Sequence, residues 1–126
     1  MAYTTIDNPT DYFNTKLWTG NGGTQSITGI GYAPDFVWIK KRTDADGARI
    51  YDTIRGATKG IFTNSTQAET TVTSELSAFG SDGFTLGASD AVNGNTKSYV
   101  SWNWLAGGTA SSNTDGSITS SVSANT

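Results

Sequence analysis

Short runs of β-branched and aromatic residues, each closed within a few positions by glycine, constrain this chain more than any other feature. Phe36-Val-Trp-Ile39 and Tyr99-Val-Ser-Trp-Asn-Trp-Leu105 are the densest runs, and Gly60-Ile-Phe-Thr63 and Phe84-Thr-Leu86 are shorter ones. Between them stand Gly20-Asn-Gly-Gly23, Gly29-Ile-Gly31, Asp44-Ala-Asp-Gly47, Gly80-Ser-Asp-Gly83 and Asn93-Gly94, all with turn chemistry, the last a strong hairpin signal ahead of the strand at 98–105. Windows with apolar residues at helical spacing are scarce, so the alternation of helix and strand that builds a parallel sheet is missing. Short strands at near-regular spacing predict an all-β fold, a single antiparallel β-sandwich or barrel.

The pattern stops at Leu105. From Ala106 to Thr126 there is no aromatic, no lysine, no arginine and one acid, Asp115. The spacing therefore predicts three parts: residues 1–17 as an N-terminal arm or short capping element, 18–105 as the sandwich, and 106–126 as a polar Gly/Ser/Thr tail. Within the first part, Asn8-Pro9 could start one short helix, proline being at home in a first turn. Asn113-Thr-Asp-Gly116 predicts a hairpin in the tail. Ile118 and Val122 are too few apolar anchors to hold that hairpin alone, so it needs a partner or stays flexible.

With 126 residues the chain can build one domain with its own core. Charged residues are only 15%, and 21 Thr, 14 Ser and 15 Gly fill the difference. Four Trp, five Tyr and five Phe argue against disorder. The net charge of −3 leaves no electrostatic footprint for nucleic acid. Cysteine and histidine are absent, which excludes disulfides, thiolate and imidazole metal sites, cysteine nucleophiles and His-dependent triads. No apolar run reaches the roughly 20 residues of a membrane helix, so no membrane insertion is expected. The N-terminus lacks a charged region followed by an apolar one, which predicts synthesis in the cytoplasm without a signal peptide.

Several residues invite a functional reading. Asp44-Ala-Asp-Gly47 has part of a calcium-loop spacing, yet lacks the third acidic position and the distal Glu, so a plain hairpin tip is expected. Asp52, Asp82 and Asp90 are carboxylates of the type glycoside hydrolysis pairs across a cleft, but no spacing singles out two of them. Gly20-Asn-Gly-Gly23 is not a phosphate loop, since no Lys-Ser/Thr follows. Trp18, beside that loop, is with Asn21 the best exposed candidate for a glycan-stacking contact, although packing under its own loop or at a subunit contact is the stronger expectation for it. Trp38, Trp102 and Trp104 are expected in the core, with the face of Val100, Trp102 and Trp104 turned inward. Phe36 to Ile39 lacks polar alternation and is expected to be a central strand buried on both faces. Lys40-Lys41-Arg42 is expected to be a solvated strand edge. Tyr12 and Phe13 in the arm, and Ile118 and Val122 in the tail, are the candidate intersubunit contacts. No catalytic residue, metal or cofactor is expected.

A set of motifs carries a family resemblance over nearly the whole chain. Trp18-Thr-Gly-Asn-Gly22, Pro34-Asp-Phe-Val-Trp-Ile-Lys40, Arg55-Gly-Ala-Thr-Lys59, Ser81-Asp-Gly-Phe-Thr-Leu-Gly87, Tyr99-Val-Ser-Trp-Asn-Trp104 and Asn113-Thr-Asp-Gly-Ser-Ile118 are specific together, though weak singly. The chain resembles a domain of unknown function found in tail and other virion proteins of tailed bacteriophages, many of them marine. The resemblance implies a single β-sandwich of jelly-roll or lectin-like type and a non-enzymatic virion structural protein, a tail-fibre or tail component or a capsid decoration. Its expected partners are itself, as a homo-oligomer, and other virion proteins. A glycan-binding host-adsorption module and a fragment of a capsule depolymerase are the alternatives.

Overall fold

The structure, a computed structural model, describes residues 8–106 and 111–122. Two antiparallel sheets of unequal width form a sandwich. The wider one has six strands in the order β1 (Phe13–Thr19), β9 (Ser98–Trp104), β3 (Phe36–Lys41), β4 (Arg49–Asp52), β5 (Lys59–Phe62) and β6 (Thr70–Thr71). The narrower one is β2 (Gln25–Thr28), β8 (Gly83–Leu86) and β7 (Leu76–Gly80). The expected all-β antiparallel sandwich is the observed class. Between the sheets, Trp18, Val37, Ile39, Tyr51 and Tyr99 pack against Ile27, Leu76, Phe84 and Leu86. Trp18 stacks on Tyr99 at 5.5 Å and meets Phe84 edge-on at 6.0 Å.

Residues 8–17 are not a separate arm. Pro9–Asp11 makes one 3-10 turn, capped by Asn8, whose Oδ1 accepts from the Thr10 N–H at 3.3 Å. The chain then enters β1, which pairs with β9 without interruption from Phe13↔Trp104 to Thr19↔Ser98. Asn14, Lys16 and Trp18 fall on one side and Phe13, Thr15 and Leu17 on the other, so burying Trp18 commits the whole segment to the sheet. The part of the expected arm before Asn8 lies outside the described residues.

The two faces of β9 are the reverse of the sequence expectation. Tyr99, Ser101 and Asn103 are turned into the sandwich and fully buried, while Trp102 and Trp104 are turned outward and half-exposed. Register explains it. Tyr99 lies opposite both Trp18 and Lys41, whereas Trp102 lies opposite Thr15 and Trp38, so inner and outer sets are fixed jointly across three strands. β3 is central as expected, but buried on one face only, with Val37, Ile39 and Lys41 inside and Trp38 outside.

Asn93-Gly94 is not a hairpin turn. Ser89 caps a single helical turn, α1 (Asp90–Asn93), and Gly94 ends it. Asn93 is buried, and its amide donates to Asn21 Oδ1, Gly23 O and Gly87 O at 2.7–3.1 Å, tying three connections together. A side chain at Gly94 would displace the Asp90 carboxylate, and one at Gly20 would collide with backbone. A Cβ on the first would lie 2.0 Å from Asp90 Oδ1, and on the second 2.2 Å from the Gly94 carbonyl oxygen. In the tail, β10 (Ser111–Asn113) and β11 (Ser120–Val122) form the expected hairpin as a two-stranded sheet of its own, joined to neither larger sheet.

Candidate interaction surface

The outer face of the six-stranded sheet carries the exposed aromatics. Opposed residues share a face, so the register arranges them in rows. One row runs Phe13, Trp104, Phe36, Asp52; the next runs Thr15, Trp102, Trp38, Ile50, Ile61; a third runs Leu17, Val100, Lys40. Phe13 is 37% exposed, Trp38 36% and Leu17 57%. An aromatic side chain spans about 150–250 Å², so Phe13 and Trp38 each leave roughly 50–90 Å² in solvent. With half-buried Trp102, Trp104, Phe36, Ile50 and Ile61 added, the face reaches the range of about 300–600 Å² that marks the largest, often functional, patch of a monomer.

The rings pack against one another. Phe13 and Phe36 flank Trp104 at 4.9 and 5.2 Å, and Trp38 lies 5.6 Å from Trp102. Their interplanar angles of 50°, 74° and 56° make a contoured cluster of edges and faces and not a flat pavement. Beneath it the same strand buries polar Ser101 and Asn103, the latter donating from Nδ2 to Asn14 O at 2.9 Å. A strand optimised for an isolated sandwich would place tryptophan inside and serine outside, the opposite of what β9 does.

The charged groups that composition marked as solvated are partly buried. Lys41 is 3% exposed and pairs with Asp90 at 2.5 Å and Asp46 at 3.0 Å. Burial alone would lower its pKa, but the two carboxylates outweigh that and hold it above the usual lysine value. Burial would likewise raise Asp46, yet the Lys41 ammonium and the Gly47 N–H bring it below the ordinary carboxylate value. The expectation of a solvated edge thus fails at Lys41, because parity on β3 turns it inward beneath α1. Arg49 reaches buried Glu75 at 3.5 Å, lies 3.9 Å over the Phe62 ring, and shares Glu75 with the Tyr51 hydroxyl, which donates at 2.5 Å. Burial, then the charge of Glu75, pushes the Tyr51 phenol far above its ordinary range.

Of the residues singled out in the sequence, Trp18 packs inward, the stronger of its two readings, and is not a stacking platform. It is 9% exposed, its indole N–H donates to Val92 O at 3.2 Å, and it offers no stacking face. Asn21 is exposed, but its side chain is already engaged, donating to Thr24 O and accepting from the Gly23 N–H and the Asn93 amide. Asp52 holds Arg55 at 2.6 Å, Asp90 holds Lys41, and Asp82 accepts from the Gly29 and Gly31 N–H groups at 2.9 and 2.7 Å. Those backbone donors hold the Asp82 carboxyl below its ordinary value. No two of these three carboxylates share a partner. Asp44 and Asp46 are engaged by different lysines, Lys97 and Lys41, at the hairpin tip. Among the described residues no group of three potential ligands could hold a metal ion, and no helix is long and apolar enough to cross a membrane. A shallow depression of about 200 Å³ on the narrow sheet, lined by Ser26, Thr28, Asp82 and Thr85, offers no buried charge.

Residues 8–126 match the family of a domain of unknown function, DUF7483. The chain belongs to the DUF7483 family. No curated protein and no solved structure matches it. The matched span of the DUF7483 domain takes in β1 and the tail hairpin as well as the sandwich. Of the candidate contacts, Phe13 sits in the aromatic face, and Tyr12 is half-buried with its carbonyl accepting from the Leu105 N–H at 2.9 Å. Ile118 and Val122 of the DUF7483 tail are 79% and 46% exposed. Sequence reasoning missed the outer face as a site. The signal was present in Phe13-Asn-Thr-Lys-Leu-Trp-Thr19, whose alternation with Trp18 inside places Phe13 and Leu17 outside.

Proposed function

We propose that this chain is a bacteriophage virion structural protein displayed on the particle exterior, acting by protein–protein assembly through the outer face of its six-stranded sheet. The observation that carries the reading is the inverted strand β9, which spends Trp102 and Trp104 on the outside and Ser101 and Asn103 on the inside. Half-exposed tryptophans and phenylalanines in mutual contact resemble the aromatic-rich core of a protein interface, where such residues supply most of the binding energy. The motif resemblance to phage virion proteins supplies the setting, and Asp52, Asp82 and Asp90, bonded to different groups, form no pair across a cleft.

A glycan-binding module is the other use of an aromatic surface. Sugar rings stack on aromatic faces presented flat, and the mutual tilts of 50–74° favour an interdigitating protein partner. Mass spectrometry of purified source particles should find the chain in many copies, and antibodies raised against it should label intact particles. Trp38→Glu, supplied in place of the wild-type chain, should fold and stay out of particles. Particles that lack the chain, or that take up the variant normally, would refute the reading.

A further inference from the structure

Resting on that reading, we infer that the partner of the aromatic face is a second copy of this chain, packed face to face about a two-fold axis that crosses the strands along the row of Trp102 and Trp38. The charge distribution of the face selects this arrangement. At the Leu17–Val100–Lys40 end, Lys40, Arg42 and Lys97 stand with Asp44, while Asp46 and Asp90 are held on the inner side by buried Lys41. At the Phe13–Trp104–Phe36 end, Asp11, Asp35, Asp52 and Glu69 stand with Arg55 and Lys59. Arg42 is exposed and makes no ion pair among the described residues. A two-fold across the strands lays the cationic end of each copy over the acidic end of the other. A two-fold parallel to the strands sets like over like.

The other requirements of an isologous contact are met by the same face. The axis brings Trp38 and Trp102 against their own counterparts, so the largest rings occupy the centre, where binding energy concentrates. Five strands of four to seven residues, at about 3.3 Å per residue and about 4.8 Å apart, give a flat footprint of roughly 450 Å², and the charged groups at both strand ends join the contact to bring it toward the roughly 800 Å² per partner of a stable interface. Two twisted sheets pack face to face in aligned fashion through interdigitating apolar side chains, and the tilted rings provide the relief for that.

Sedimentation equilibrium on the full chain tests the inference. The wild type should be a dimer whose dissociation constant rises with salt, because the end charges are at the rim. Trp38→Glu should raise that constant at least about 30-fold, while Ser26→Glu on the narrow sheet leaves it unchanged. Arg42→Glu should weaken the dimer about 5–10-fold, and adding Asp35→Lys to the same chain should restore it. Far-ultraviolet circular dichroism of each variant separates lost association from lost folding. A wild type monomeric at 200 µM (on the order of the highest concentrations used for weak dimers), or a dimer indifferent to Trp38→Glu, overturns the inference. A dimer unaffected by salt and by both charge reversals overturns the axis. If the chain is monomeric yet Trp38→Glu still bars it from particles, this inference falls and the proposed function stands; a dimer that no particle contains gives the converse.

Discussion

At the residue scale, the four tryptophans divide by parity, not by hydrophobicity. Trp18 is enclosed between sheets and bonded through its indole N–H, so Trp18→Ala should cost about 3–5 kcal/mol of stability. The outward Trp38, more than a third exposed, should tolerate the same change with a small fraction of that loss. Paired urea titrations check the contrast, and equal losses would contradict the facing assigned here. The buried Arg49–Glu75–Tyr51 cluster is a second residue-scale case. Removing one partner leaves charge uncompensated in the core, so Glu75→Ala should destabilise by about 3–5 kcal/mol. Tyr51→Phe, which removes only the hydroxyl donor to Glu75, should cost about 1.5–3 kcal/mol.

At the element scale, β1 and the tail hairpin exchange the roles that composition suggested. β1 has a polar, unremarkable sequence but seals the β9 edge and delivers Trp18 to the core. The tail hairpin pairs only with itself. A chain ending at Leu105 should therefore keep its thermal midpoint within a few degrees, since no residue of the two larger sheets or of the core is lost. One starting at Leu17 should not fold, because the remaining edge of β9 stays unpaired. Calorimetry of the two truncations reads this directly. The strand positions themselves were legible: runs at 36–39, 60–63, 84–86 and 98–105 all became strands. The Asn93-Gly94 pair misled because Ser89, a good N-cap, stands four residues earlier and closes a helical turn instead.

At the scale of the whole molecule, the charged groups predict a stability plateau. Asp46 and Asp82 have folded pKa values below their unfolded value of 3.8. Their contribution is full above that value and is lost as pH falls through the folded pKa. Lys41 is shifted the other way, so its contribution is full below 10.5 and is lost as pH rises through the folded value. Tyr51 acts in the same direction. With no histidine to titrate near neutrality, the thermal midpoint should be flat between about pH 5 and 9 and fall on both sides. Asp46→Asn and Asp82→Asn should blunt the acid limb; an acid limb identical to wild type in the double variant would contradict these assignments.

The sequence by itself determined the fold class, the number and place of most strands, and the absence of thiol and imidazole chemistry. Those properties are local: β-propensity, glycine turns and residue types are written in neighbouring positions. Which side of each strand faces the core was decided only by the tertiary structure. Both faces of β9 are rich in large or small uncharged residues, so alternation alone left two solutions. Trp18, Tyr99 and Lys41 lie far apart in sequence and meet in one row; burying that row under the narrow sheet turned Trp38, Trp102 and Trp104 outward and made them a surface.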